Sequence, residues 1–295
     1  MKWWCSATGE PWTWAWRPYP GVWIFVGLLV ASYYLWVVRP AHPRPSDSPE
    51  PDSAIRGRGS HLGPNRRAAL SFSLGVLAIW LSLDWPIGPL GAGYLASVHA
   101  GSYILLSLVA PALLLLGLPR ELLLWAAVKS PVAPVLRFLA RPLIALAVFN
   151  LILFATHVPD VVDTLMPTQL GAFAVDLGWL LGGFTLWWAV LAPSPEVARM
   201  SPPLQMAYLF AATLLPTIPS AFLTFASYPL YGVYELAPRV TEMSAQSDQQ
   251  VAGLMMKIIG DLPLWFGFGM VFFRWAKASE GKNPTHPGAP YPSRG

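Results

Sequence analysis

Histidine and methionine side chains lie at the ends of several long apolar segments of this sequence. His99 lies near the start of one apolar run, His157 at the end of another and Met256 near the start of the last. Imidazole and thioether groups are both copper ligands, and a thioether favours the cuprous ion. We therefore expect a copper site formed by His99, His157 and Met256. The alternative is structural, since a histidine at a helix end often only hydrogen-bonds and a methionine often only fills a core.

Other polar residues are expected around these ligands. Asp248 precedes the last apolar run, so we expect it to cap the first turn of its own helix. Metal binding is the alternative role for Asp248. We expect Gln249 and Gln250 to contact the turn after His157. The full polar cluster predicted at this end of the molecule is Tyr103, Asp160, Asp163, Asp248, Gln249 and Gln250.

Two ionisable residues, Asp176 and Lys257, lie inside apolar segments, where an unpaired charge is costly. At about 1.5 Å per helical residue, both lie roughly 10–12 Å from the same end of their helices. The matching depth predicts an ion pair between them inside the bundle. In the alternative, Asp176 binds metal or relays protons while Lys257 extends separately to the surface.

The composition indicates an integral membrane protein, with 55% hydrophobic and only 12% charged residues. We expect an all-α fold, a bundle of seven transmembrane helices. The predicted helices cover residues 22–38, 68–83, 94–118, 135–156, 170–191, 204–227 and 251–273, with a short interfacial helix after Gly117. Pro111, Pro216 and Pro219 should interrupt or bend two of them.

The positions of the basic residues predict the orientation. Of the nineteen Lys and Arg residues, one side of the predicted bundle holds only Lys2, Arg17 and Arg239, and Lys257 lies within the membrane. The positive-inside rule then places the N-terminus outside and the C-terminus in the cytoplasm. His99, His157 and Met256 consequently lie toward the extracytoplasmic face.

Four regions follow from the distribution of charge and proline. Residues 1–38 combine a tryptophan-rich N-terminus, expected in the headgroup layer, with the first helix. Residues 39–67 form a basic, proline-rich linker expected to lie beside anionic lipid. Residues 68–276 form the membrane domain, and residues 277–295 a polar cytoplasmic tail. Cys5 is the one cysteine, so no disulfide forms within the chain and no role is expected for it.

Several functions find no support in the sequence. It has no glycine-rich phosphate loop, no zinc-protease H-E-x-x-H motif and no nucleophile elbow, so we do not expect an enzyme. No basic run is interleaved with aromatic residues, so we expect no nucleic-acid partner. Membrane lipid is the partner that the composition implies.

A series of motifs over roughly residues 70–275 resembles the CtaG family of cytochrome c oxidase assembly proteins. In chain order these are His99 followed by APALLLLGLPRE, HVPDVVDTL from His157, TLWWAVLAPSP, SYPLYGVY and DQQVAGLMM. The resemblance implies a multi-pass protein of the bacterial inner membrane that matures the haem-copper oxidase at its copper stage and contacts oxidase subunits. It assigns functional roles to His99, His157, Pro159, Asp163, Asp248, Gln249, Gln250, Gly253 and Met256.

The chain departs from the family pattern at three positions. Tyr103 and Asp176 stand where the pattern has histidines, and Lys257 stands where it has tryptophan. The resemblance therefore implies a metal site with fewer imidazoles than usual. Two alternative functions remain open at this point, a membrane transporter and a permanent accessory subunit of a respiratory oxidase.

Overall fold

The computed structural model describes residues 2–38, 66–191 and 200–280, and within these ranges the regular structure is entirely helical. Six of its helices are long and apolar enough to cross a membrane, and the number rises to eight if each of two bent helix pairs counts as one span. The all-α membrane class is therefore confirmed. The count of seven and the orientation stay predictions.

The chain forms fourteen α-helices within the described ranges. They are α1 Pro20–Tyr33, α2 Arg66–Leu83, α3 Ile87–Gly93, α4 Ala96–Ile104, α5 Ala110–Gly117, α6 Arg120–Val128, α7 Ala133–Leu139, α8 Pro142–His157, α9 Pro159–Leu165, α10 Gln169–Leu191, α11 Pro202–Leu214, α12 Thr217–Phe225, α13 Gly232–Glu235 and α14 Ala245–Glu280. Most of the predicted linker and tail (residues 39–65 and 281–295) lies outside the described residues.

Helices α4 and α5 form one span, with Pro111 in the first turn of α5. A π-helical turn, Leu105–Val109, joins them, and it ends two residues before Pro111, which lacks a backbone N–H. Helix α10 packs closely on this turn at Gly183, because a Cβ there would collide with the Ser107 carbonyl oxygen and lie 2.7 Å from Pro111. The predicted interruption at Pro111 is confirmed.

The predicted fourth helix begins later than expected, at Pro142 rather than near residue 135. The residues before it form α7, which makes an angle of 101° with α6. Proline favours the first turn of a helix, and residue 141 before it is extended, which separates α7 from α8. The turn predicted after His157 is wrong, because Pro159 starts a new helix, α9, bent 73° from α8.

The predicted sixth helix is divided into α11 and α12 around Pro216, as the sequence indicated. The Thr213 carbonyl in the last turn of α11 accepts hydrogen bonds from Thr217 Oγ1 at 3.1 Å and from Lys257 Nζ at 3.2 Å. Side chains therefore satisfy a carbonyl at the bend, which agrees with the sequence-based expectation.

Two further boundaries differ from the prediction. The glycine- and proline-rich turn after Asp84 is helix α3. The last helix, α14, has 36 residues and is correspondingly about 54 Å long at 1.5 Å per residue. It therefore extends well beyond the predicted range of 251–273.

The N-terminal segment, residues 2–19, is partly buried against the bundle, which the sequence did not predict. Trp4 is only 2% exposed, and Cys5 and Ser6 are also buried. Because this segment has no apolar periodicity, its sequence resembles that of a surface segment, yet its backbone bonds to the bundle: Ala7 N donates to Met166 O at 2.9 Å. Trp14 and Trp16 do remain exposed.

Candidate functional site

The two histidines predicted to approach each other do so. His99 lies in the first turn of α4 and His157 is the last residue of α8, and their ring centroids are 6.4 Å apart. Both side chains are buried. We call the end of the bundle where they lie the histidine end.

Two other aromatic side chains contact this pair. The Trp179 ring, on α10, lies 4.8 Å from His99 and 6.1 Å from His157, measured between ring centroids. The Tyr103 ring lies 5.2 Å from His157 and 5.6 Å from Trp179. His99, Tyr103, His157 and Trp179 form what we call the aromatic cluster.

Three polar atoms of the aromatic cluster are buried and have no hydrogen-bond partner. They are His99 Nε2, Tyr103 OH and His157 Nε2. Leaving a buried polar atom unsatisfied costs roughly 1–3 kcal/mol, so such atoms are few in native proteins and call for an explanation. Three of them lie on neighbouring rings, which makes this position a candidate ligand site.

The protonation of His157 favours metal binding. Its Nδ1 lies 2.8 Å from the Leu153 carbonyl oxygen, which can only accept a hydrogen bond. In the neutral ring Nδ1 therefore carries the proton and Nε2 carries the free lone pair. A backbone carbonyl that fixes the tautomer in this way is the usual support of a metal-ligating histidine.

Neighbouring side chains hold the cluster in place. Trp179 Nε1 donates to Thr156 Oγ1 at 2.8 Å, and Tyr231 OH donates to the His157 carbonyl at 3.1 Å. Tyr234, 5.7 Å from His99 between ring centroids, donates to the Gly91 carbonyl at 2.7 Å. Sequence reasoning assigned no role to Trp179, Tyr231 or Tyr234, although the two tyrosines belong to the motif SYPLYGVY.

The third predicted ligand, Met256, is 3% exposed and belongs to the same hydrophobic core as Tyr103 and Trp179. Within the described ranges, no three His, Cys, Asp or Glu side chains are arranged to hold a metal ion. A metal at the histidine pair would therefore need a small ligand set or a donor of another type. Thioether sulfur is such a donor, and it selects cuprous copper.

Asp248 does cap a helix, but not its own. It lies in the first turn of α14, and its carboxylate accepts from Ala96 N at 2.6 Å and from Ser97 N at 3.3 Å. Ser97 Oγ also donates to it. The prediction named the wrong helix: Asp248 satisfies the start of α4, three residues before His99, and so helps to position that histidine.

Tyr103 joins the histidines in the aromatic cluster, but the remaining members of the predicted polar cluster do not converge on them. Gln249 is 2% exposed and bonds to Leu230 N at 2.6 Å and to the Leu223 carbonyl at 3.3 Å, so it holds the loop after α12 and not the turn after His157. Asp163 accepts from Gly232 N and Val233 N, both at 2.9 Å. Asp160 is exposed and Gln250 partly buried.

The predicted ion pair between Asp176 and Lys257 is not formed. Lys257 Nζ lies 2.8 Å from Asp261 Oδ2, one turn along α14, and also donates to Thr217 Oγ1 at 2.8 Å. Asp176 accepts a hydrogen bond from Trp4 Nε1 at 2.8 Å. Equal depth in the bundle was not enough, because the two side chains project toward different neighbours.

The N-terminal segment covers the histidine end. Gln169 Oε1 accepts from Trp3 N at 2.7 Å, and Cys5 Sγ donates to the Leu83 carbonyl at 3.0 Å. Burial raises the pKa of the Cys5 thiol well above its usual value, and the carboxylates of Asp176 and Asp84 raise it further. Cys5, for which no role was expected, is therefore a buried, protonated thiol beside the candidate site.

Fold and site together define a helical membrane protein with a buried histidine pair whose Nε2 atoms lack protein partners. Residues 53–278 match the Caa3_CtaG family, described as cytochrome c oxidase caa3 assembly factor. The match covers more than half of the chain, which therefore belongs to this family and is a cytochrome c oxidase assembly factor. No curated protein and no solved structure matches the chain.

Proposed function

We propose that this assembly factor receives a cuprous ion at His99 and His157 and makes it available to the oxidase. One observation carries the proposal: two histidine Nε2 atoms on neighbouring rings are buried without a partner. Copper is cargo in this proposal, so the protein acts without catalysing a reaction.

The ligand set suits the cuprous state. Cu(I) accepts few ligands and prefers imidazole and thioether donors, whereas most divalent ions need more donors than this site offers. The buried Met256 lies in the same core and is the third donor in the proposal. Tyr103, whose hydroxyl is also unpartnered, lines the site in place of an imidazole.

We further propose that the histidine end faces away from the cytoplasm of a bacterial cell, in the plasma membrane. Among the described residues, the histidine end holds the basic residues Lys2, Arg17 and Arg239. The opposite end holds Arg66, Arg67, Arg120, Lys129, Arg137, Arg141, Arg274 and Lys277. The positive-inside rule supports this orientation.

The connections between helices support the proposed count of seven spans. Helix α5 ends at the end of the bundle opposite the histidines and α8 begins there, so the sharply bent pair α6–α7 returns to the same side. The spans are then α1, α2, α4–α5, α8, α10, α11–α12 and α14. Oxidase subunits are the proposed partners, and lipid contacts exposed apolar side chains such as Leu143, Leu151 and Phe266.

The experiment is to measure copper per haem in the oxidase isolated from cells that carry His157→Ala or His99→Ala. We expect each variant to lower the copper content at least tenfold while the assembly factor itself stays at normal abundance. Asp160→Asn is the matched control, because this residue is exposed on the neighbouring helix α9. Normal copper content in both histidine variants would refute the proposal.

A companion measurement separates assembly from the alternatives. A stoichiometric amount of the protein in mature, purified oxidase would identify a permanent subunit. Accumulation of a solute other than copper that depends on this protein would identify a transporter.

A further inference from the structure

A small cavity lies between the N-terminal segment and the bundle, beside the aromatic cluster. Its volume is about 10 Å³, room for one water molecule or one metal ion. Four of the side chains that line it can donate to a metal: Cys5, His99, Met166 and Asp176. His99 is also a member of the aromatic cluster, and its Nε2 is buried and unpartnered.

The donors around this cavity are mostly soft. Cys5 offers a thiol sulfur, Met166 a thioether sulfur and His99 an imidazole nitrogen, and all three side chains are buried. Within the described residues no three His, Cys, Asp or Glu side chains are arranged to hold a metal, which argues against a zinc-type site. A set completed by a thioether selects a soft monovalent ion.

Two carboxyl groups, those of Asp84 and Asp176, lie in the surroundings of the cavity. Asp84 is buried and Asp176 partly buried, and in the described ranges neither forms an ion pair with Lys or Arg. Each accepts one tryptophan N–H, from Trp23 at 3.0 Å and Trp4 at 2.8 Å, and Asp84 Oδ1 has no partner. Buried carboxylates are usually paired or bound to a metal, so a cation in this region would relieve their cost.

Close packing brings Cys5 into this position. A Cβ on Gly88 would lie 2.7 Å from Cys5 Sγ and would collide with the Leu83 carbonyl. A larger residue at position 88 would therefore push the N-terminal segment away. Both Cys5 and Trp4 precede residue 53, where the family match begins, so the thiol comes from a part of the chain outside that match.

We propose that this cavity binds one soft monovalent metal ion through Cys5 Sγ, Met166 Sδ and His99. The inference rests on the proposed function and adds an entry position, from which the ion reaches the histidine pair through the shared His99. The thiol proton leaves as the metal–sulfur bond forms, and Asp176 is a carboxylate of the lining that can accept it. Asp84 and Asp176 disfavour a free thiolate at Cys5 because like charges repel. The same two side chains attract the cation once it is bound.

The test uses the purified full-length protein in detergent under reducing conditions. Silver(I), a redox-inert probe, and copper(I) are titrated in competition with a chelator of known affinity. We expect two ions per wild-type chain, one on His157 and Met256 and one that takes His99 together with Cys5 and Met166, and one ion per chain for Cys5→Ser. Met166→Leu should weaken one of the two sites at least tenfold. Met243→Leu is the matched control because Met243 is exposed.

X-ray absorption of the copper(I)-loaded protein provides a second readout. The number of sulfur neighbours of copper should fall in the Cys5→Ser, Met166→Leu double variant to the single thioether that Met256 offers at the histidine pair. An equal number of sulfur neighbours in the wild type and the double variant, or unchanged stoichiometry and affinity in Cys5→Ser, would overturn the inference. Cys5→Ser keeps a hydrogen-bond donor for Leu83, and its melting temperature checks that it folds.

Failure of this inference can be distinguished from failure of the proposed function. If the histidine variants lose oxidase copper while Cys5→Ser leaves metal binding unchanged, the function stands and the entry position does not exist. If Cys5→Ser loses one bound ion but His99→Ala and His157→Ala leave oxidase copper normal, the cavity binds metal and the proposed role in oxidase maturation is wrong.

Discussion

The two ends of the bundle differ in whether the polar atoms of their buried aromatic residues have hydrogen-bond partners. At the end opposite the histidines, Trp187 Nε1 donates to the Leu108 carbonyl at 2.8 Å and Trp188 Nε1 to the Leu136 carbonyl at 3.1 Å. Tyr208 OH donates there to the Leu186 carbonyl at 3.0 Å. We call Trp187, Trp188 and Tyr208 the satisfied aromatic set. In the aromatic cluster, by contrast, three polar atoms have no partner.

This difference separates aromatic residues whose polar atoms are hydrogen-bonded from those for which we propose a ligand. The satisfied aromatic set uses its N–H and O–H groups to bind carbonyls of neighbouring helices, which adds to helix association. The three polar atoms of the aromatic cluster have no hydrogen-bond partners, which lowers the stability of the fold at that position. A protein commonly tolerates such a cost where a ligand later restores the interactions.

The largest predicted effect concerns the close packing of α10 on the π-helical turn, on which both ends of the bundle depend. Gly183→Val should abolish accumulation of folded protein, because the new side chain would collide with the Ser107 carbonyl and Pro111 where α10 crosses the π-helical turn. Monodisperse protein after detergent extraction is the measurement. Gly269→Ala is the control, since a Cβ there meets nothing within 4 Å. Equal yields of the two variants would show that this close approach is unimportant.

The second prediction concerns the helix that carries His99. Asp248→Ala removes the acceptor for Ala96 N and Ser97 N and should destabilise the protein by about 2–4 kcal/mol, summing the lost cap and the stranded donors. Asp248→Asn retains one acceptor oxygen and should lose less than half as much. Thermal unfolding in detergent measures both, and identical losses would contradict the capping role.

The third prediction tests the satisfied aromatic set directly. Trp187→Phe leaves the Leu108 carbonyl without its donor and should cost about 1–3 kcal/mol, with no change in metal binding. The measurement combines thermal unfolding with silver(I) titration. A variant as stable as the wild type would mean that this hydrogen bond contributes nothing and would weaken the contrast between the two ends.

The smallest effect, and the one of opposite sign, is predicted in the aromatic cluster. Tyr103→Phe removes a buried hydroxyl that has no partner, so stability should stay the same or rise by up to about 1 kcal/mol. The measurement is again thermal unfolding, in metal-free protein. A loss above about 1 kcal/mol would show that the hydroxyl has a partner, and Tyr103 would then belong with the satisfied residues.

The sequence predicted the apolar segments and the approach of His99 to His157, because both depend on patterns along single helices and on recognisable motifs. It did not predict which helix Asp248 caps. Helices α4 and α14 start at the same end of the bundle, so the charge at one start reaches the N–H groups of the other. Only the packing of the two helices decides between these roles.

The predicted ion pair between Asp176 and Lys257 was wrong for a related reason. Depth along a helix follows from counting residues, but each residue also turns by about 100°, so equal depth does not imply facing side chains. Lys257 instead bonds to Asp261, whose position one turn away on the same face was visible in the sequence. The N-terminal segment could not be predicted because it has neither helical nor strand periodicity.

The contact between Trp4 and Asp176 joins residues 172 positions apart, which has a consequence for synthesis of the chain. The first residues to leave the ribosome obtain this partner only after α10 has been made. A nascent chain that stops before α10 therefore has both His99 and His157, but the N-terminal segment does not yet cover them. The enclosed site is thus complete only after translation has passed residue 176, and we expect an N-terminal fusion to interfere with this last contact.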